Sequence, residues 1–228
     1  MDGGGNVLVT GSFAGTVDFG GGTLTSAGST DVFVAKLDST GRHLWSGAFG
    51  DASAQAGTAI AVDASGNVFV TGYFSGSIDL GGATLTSAGG QDVFVVRFDP
   101  EGNHVWSKSF GDGNDQRGTG LAVDGSGNLV TTGVLYGSIN FGGGVLTSAG
   151  LGDVTLAKLD ANGNHVWSKR FGDASAQSGA AVAVDASGNV TATGSFSGSV
   201  GFGGAVLTSA GSSDVFLARY YSNGNHAW

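Results

Sequence analysis

A chain of 228 residues with 40% hydrophobic and 12% charged residues carries enough apolar side chain for a packed core, in spite of its 45 glycines. Eighteen acidic residues against nine basic ones give a formal net charge of -9, which leaves no basic footprint for nucleic acid or for an anionic membrane surface. The absence of cysteine excludes disulfides, thiolate metal sites and a cysteine nucleophile.

The N-terminus, Met1-Asp2-Gly3-Gly4-Gly5, has neither the basic region nor the apolar run of a signal peptide. No window approaches the roughly 18 consecutive apolar residues of a membrane-spanning helix. From Asn6 the sequence repeats itself. Asn6-Val7-Leu8-Val9-Thr10-Gly11 returns at Asn67, Asn128 and Asn189, always 61 residues on. Every histidine (His43, His104, His165, His226) and every tryptophan (Trp45, Trp106, Trp167, Trp228) keeps the same step. Such a period marks a repeat architecture, and the units run approximately 1–61, 62–122, 123–183 and 184–228 within a single domain, 1–228.

The second unit is complete enough to take in order. Ala59-Ile60-Ala61-Val62 alternates small and large side chains, the period of a strand. Asp63-Ala64-Ser65-Gly66-Asn67 supplies a tight turn, and Val68-Phe69-Val70-Thr71 is the second strand. A Gly-rich excursion, 76–91, follows. Asp92-Val93-Phe94-Val95-Val96-Arg97-Phe98 is apolar on both faces, which predicts a central third strand. Asp99-Pro100-Glu101-Gly102-Asn103 turns the chain into the fourth, His104 to Phe110. No helical period occurs. Four antiparallel strands per repeat predict the blade of an all-β β-propeller. The small residues Ala59/Ala61, Gly120/Ala122 and Ala181/Ala183 suit an innermost strand at a crowded axis.

The run Asp63-x-Ser65-Gly66-Asn67-Val68-Phe69-Val70-Thr71-Gly72, then Asp92 to Asp99, then Gly102-Asn103-x-x-Trp106 and Phe110-Gly111 resembles the bacterial SBBP-type β-propeller repeat. The resemblance implies a propeller from a secreted or surface-attached protein, hence an extracellular or cell-surface location for the parent, and no catalytic residues. That family's name implies seven blades; four units are present here.

Trp228 falls where Trp45 does and Met1 where Val62 does. The units therefore predict a closed four-bladed ring, a homodimer completing an eight-bladed ring, or a piece of a longer array. The dimer is the leading expectation, because a closed ring of four flat, Gly-rich blades needs very steep wedge angles; pairing in trans also hides strand edges.

Sites are expected on the face holding the longer loops, 76–91 and 111–118. That face repeats Asp51, Asp112 and Asp173 with Gln55, Gln116 and Gln177, oxygen donors suited to a sugar, a protein or a calcium ion. The same acids would equally cap their own loops. Asp18 and Asp79 give way to Asn140 and Gly201, and no calcium-loop run is present. The histidines stand one per outer strand, too far apart for ligands that must lie about 2 Å from one zinc ion, so no metal and no cofactor are expected. The tryptophans are expected to fill the gaps between blades, on the face shared with the histidines. Lys36, Arg97, Lys158 and Arg219 each follow an aspartate by five residues, which suggests cross-blade ion pairs. No phosphate-binding glycine loop or nucleophile elbow finds its required helix, and perfect periodicity argues against the asymmetric constellation of an enzyme. The expected function is a non-enzymatic scaffold or protein-interaction module, the alternative a multivalent lectin with one weak site per blade. One loop, Gly113-Asn114-Asp115-Gln116-Arg117, departs from its counterparts.

Overall fold

The computed structural model describes residues 1–228 and contains 22 β-strands and no helix. Two complete antiparallel four-stranded sheets stand in the middle of the chain. One runs Gln55–Val62, Val68–Phe74, Asp92–Phe98, His104–Phe110; the other runs Gln116–Val123, Leu129–Leu135, Asp153–Leu159, His165–Phe171. The first unit contributes three strands, Val7–Phe13, Asp31–Leu37 and His43–Phe49. The fourth also contributes three, Gln177–Val184, Val190–Phe196 and Asp214–Tyr220, with an isolated bridge from Tyr220 to His226.

Within each unit the neighbours in sequence are neighbours in the sheet. The third strand, apolar from Val93 to Val96, lies between the second and the outer strand, where both of its faces are covered. The turns hold this register. In the first turn of the second unit, Asp63 Oδ1 accepts the amides of Ser65 and Asn67, each at 2.9 Å, and Asn67 Nδ2 donates to Asp63 Oδ2 at 2.7 Å. Gly66 sits there at φ 84°, which a side chain would resist.

Two details differ from the sequence reading. The innermost strand begins earlier, at Gln55, because a bulge between Gly57 and Ala59 lets the chain continue pairing beyond the alternating stretch. The Gly-rich excursion is a second hairpin rather than a loop: Ser77–Ile78 pairs with Leu85–Thr86, and each other unit repeats it.

Hydrophobic clusters form between consecutive units, so each joint is a core. Val32 and Val34 of the first unit pack with Val68, Val70, Phe94 and Phe98 of the second. Phe49 stacks on Phe98 with ring centroids 5.5 Å apart. Burying one such phenyl ring stabilises by about 1.5–3 kcal/mol. The inner strands lie side by side, with Gln116–Val123 between Gln55–Val62 and Gln177–Val184. Thr58 Oγ1 donates to Gly118 O at 2.6 Å and Thr119 Oγ1 to Gly179 O at 2.7 Å. The small residues of these strands permit that approach, since a Cβ on Gly120 would sit 2.9 Å from Ala181 Cα.

The all-β repeat units, about four strands each, fit a β-propeller. Within this chain the sheets do not close into a ring: the last sheet leaves Val215 79% exposed, whereas its counterparts Val32, Val93 and Val154 are buried.

Candidate functional site on the long-loop face

The hairpin and the loop entering the next inner strand do come together. Ser77 N donates to Asp51 Oδ2 at 2.7 Å, tying the second unit's hairpin to the loop that precedes its first strand. Asp51 Oδ1 also accepts Ser53 N and Gln55 Nε2, each at 2.7 Å. Asp112 and Asp173 repeat the arrangement with Ser138 N and Ser199 N. These donors hold the carboxyls below the usual carboxylate range. At Asp51 the Ser53 amide leads; at Asp173 the Ser199 amide does. At Asp112 burial pushes upward but is outweighed by Asn114 and Gln116. Gln55, Gln116 and Gln177 are buried, and their amide nitrogens reach Ser75 O, Tyr136 O and Ser197 O. The six residues thus brace the loops, with their polar atoms turned to one another and to backbone.

A second acid lies beneath each brace. Asp31, Asp92 and Asp153 are buried; each Oδ2 accepts a hairpin amide, at 2.8 Å from Ala27, 2.9 Å from Ala88 and 2.9 Å from Ala149. Each Oδ1 is buried with no hydrogen-bond donor. It faces a glycine instead: a Cβ on Gly50 would lie 2.6 Å from Asp31 Oδ1 and 2.5 Å from Gln55 Oε1. Burial, aided by the nearby Asp112 charge, pushes the Asp92 carboxyl up against the pull of the Ala88 amide.

These acids are not the partners of the basic residues five positions on, which corrects the expected cross-blade pairs. Side chains five apart along a strand lie too far apart to meet. Lys36 pairs with Asp2 at 3.1 Å, Lys158 with Asp124 at 2.9 Å and Arg219 with Asp185 at 2.6 Å, all within one unit through its first turn. Arg97 instead lies over the Phe69 ring, 5.6 Å from its centroid, and donates to Ala161 O of the next unit at 2.8 Å.

The indoles of Trp45, Trp106 and Trp167 donate to carbonyls of the following unit, Pro100, Ala161 and Ser222, at 3.1, 3.0 and 3.1 Å. Trp228 is 55% exposed. The histidines do not share their face. A register irregularity in each outer strand, between Arg97 and Phe98 opposite Trp106 and His104, breaks the alternation. His104 packs on Gly81 and Gly82 of its own hairpin and bonds Ser107 Oγ at 3.0 Å, while Trp106 turns to the next unit. No three His, Asp or Glu side chains converge as metal ligands.

One place breaks the symmetry. Asn114, Asp115, Arg117, Val134 and Tyr136 line an open cleft of about 390 Å³ on the long-loop face. Arg117 lies 5.1 Å from the Tyr73 ring centroid and donates through Nε to Gln91 Oε1. Its neighbour Asp115 accepts Gln91 N at 3.0 Å. The corresponding positions of the fourth unit are Ser175, Ala176, Ser178, Ser195 and Ser197. Reading the loop alone found Asn114, Asp115 and Arg117 but missed Tyr136 and Tyr73. Comparing units column by column finds Tyr136, which stands where Ser75 and Ser197 stand.

The chain is similar to a WD repeat-containing protein. That relative is the uncharacterized WD repeat-containing protein L264 of Acanthamoeba polyphaga mimivirus, 25% identical over 154 residues and 60% of this chain. The chain spans 11% of its length. No family model matches the chain. The Trp-Asp pair typical of such repeats is not used here: Trp45, Trp106 and Trp167 are each followed by serine. The likeness and the repeated strand units together fit a β-propeller repeat protein.

Proposed function

We propose that the chain is a non-enzymatic scaffold of the SBBP-like propeller kind, and that it engages a protein partner through the cleft of Arg117 and Tyr136. One observation carries the reading. Where the units are near-copies, their residues are spent on turns and joints. The polar departures Asn114, Asp115, Arg117 and Tyr136 cluster in one open cleft instead. Tyrosine and arginine dominate the energetics of protein interfaces because each buries a large, shaped surface with a polar end. Tyr136 is 41% exposed, and Arg117 is held in place by Tyr73 and Gln91 before any partner arrives.

A quantitative protein-array screen tests this, comparing the chain with an Arg117→Ala/Tyr136→Ala variant and a Ser178→Ala/Ser197→Ala control. A partner whose binding weakens at least tenfold in the first variant and not in the control supports the reading. Binding indifferent to both would overturn the site. A glycan titration with several equivalent sites per chain would replace it with the multivalent lectin.

A further inference from the structure

The joint between units has two unlike halves. The tail half presents two apolar residues of the third strand (Val32 and Val34, Val93 and Val95, Val154 and Leu156) and the outer-strand tryptophan; the head half presents the next unit's second and third strands and the glycine of its second turn. The chain makes this joint three times. Trp45 covers Gly102, Trp106 covers Gly163 and Trp167 covers Gly224, so closely that a Cβ there would come within 2.7 to 3.0 Å of the ring.

Stepping by one unit leaves one half of each kind unused. Gly41 has the same turn position and a φ of 86°, yet nothing lies within 4 Å of the place its Cβ would take. Trp228 covers no glycine and is exposed, as are Val215 and, at 55%, Leu217. At the other end Val9 is 37% exposed, while its counterpart Val70 is fully buried. Phe33 and Phe19, 5.0 Å apart, complete that apolar head face. Ordinary surfaces do not repeat the two sides of an internal core with the same residue spacing.

We propose that a second copy of this chain docks head to tail, the Trp228, Leu217 and Val215 face of one copy covering the Gly41, Val9 and Phe33 face of the other. The contact continues the joint the chain already makes internally. It is heterologous, so two copies form it twice and close about a twofold axis, leaving neither face in water. By the internal pattern, Trp228 Nε1 donates to the partner copy's Ser39 carbonyl, the counterpart of Pro100.

Light scattering coupled to size exclusion on the 228-residue chain tests the proposal through a dilution series. The expected mass is twice 22.4 kDa. Leu217→Glu and Val9→Lys each place an unpaired charge in the joint, and each is expected to halve the mass with an unchanged far-UV circular dichroism spectrum. Mixed in equal amounts, the two variants regain one native joint and set opposite charges in the other, so the mass rises again. A single-chain mass for the parent sequence overturns the docking, as does a mass unaffected by both variants. Two further results overturn the head-to-tail geometry: a mixture no heavier than its components, and open assemblies that keep growing with concentration.

Discussion

The indole of Trp106 donates to the carbonyl of Ala161, 3.0 Å away in the following unit, while its ring lies against Gly163 of the same turn. One side chain thus satisfies a turn carbonyl, fills the seam and requires a glycine beneath it. Trp106→Ala removes all three effects and is expected to destabilise by about 3 kcal/mol in urea unfolding. Trp228→Ala, followed below the concentration at which copies associate, is expected to stay within about 0.5 kcal/mol of the parent. Equal losses at both positions would mean that the seam does not depend on the indole.

Asp92 carries a buried oxygen without a donor, facing Gly111 and the Gln116 carbonyl oxygen. Asp92→Asn keeps an acceptor for Ala88 N and turns an amide toward Gln116 Oε1. It is expected to stabilise the chain by about 1 kcal/mol at neutral pH. Because burial raises the Asp92 pKa, folding favours its protonated form. The gain from asparagine should therefore shrink in acid, as Asp92 itself takes up a proton. Chemical unfolding of both proteins at pH 7 and pH 3 checks the size and the trend.

Asp51, Asp112 and Asp173 have the opposite sign. Their folded pKa values lie below the ordinary one, so their contribution is fully present above the unfolded pKa of about 3.9 and is lost as pH falls through the folded values. Unfolding free energy should hold down to about pH 4 and fall below it. Asp51→Asn should flatten that fall. A slope unchanged in the variant would assign acid sensitivity to other carboxylates.

Thr119 donates to Gly179 O between two inner strands. Thr119→Val removes the shorter of two side-chain donors to that carbonyl, leaving Ser178 Oγ at 3.3 Å, at little change in volume, and a loss of about 1 kcal/mol is expected. Thermal unfolding monitored by calorimetry reads it.

Strand order and turns were legible in the sequence because they are local: Asp63 and Asn67 fix a turn within five residues, and Val93 to Val96 is apolar throughout. The hairpin within the excursion was not, since two- and three-residue strands carry too few side chains for a period. The sides taken by His104 and Trp106 were lost to a register irregularity, which leaves no mark in the spacing of residues. The ion pair of Lys158 with Asp124 spans 34 positions and is set by sheet register rather than by proximity in sequence. In the candidate cleft, Asn114, Asp115 and Arg117 stood out as a local oddity. Tyr136 lies 19 residues beyond Arg117 and joins them only once adjacent strands pair.

The seam has a consequence for how such a chain changes over generations. Each unit carries a tryptophan for the unit ahead and a glycine for the unit behind, so duplicating any stretch of 61 residues duplicates lock and key together. A newly inserted copy needs no compensating substitution to be accepted by its neighbours. Length is then free to drift by whole units under ordinary recombination. Losing a single Trp or Gly, by contrast, spoils one junction and leaves the others untouched.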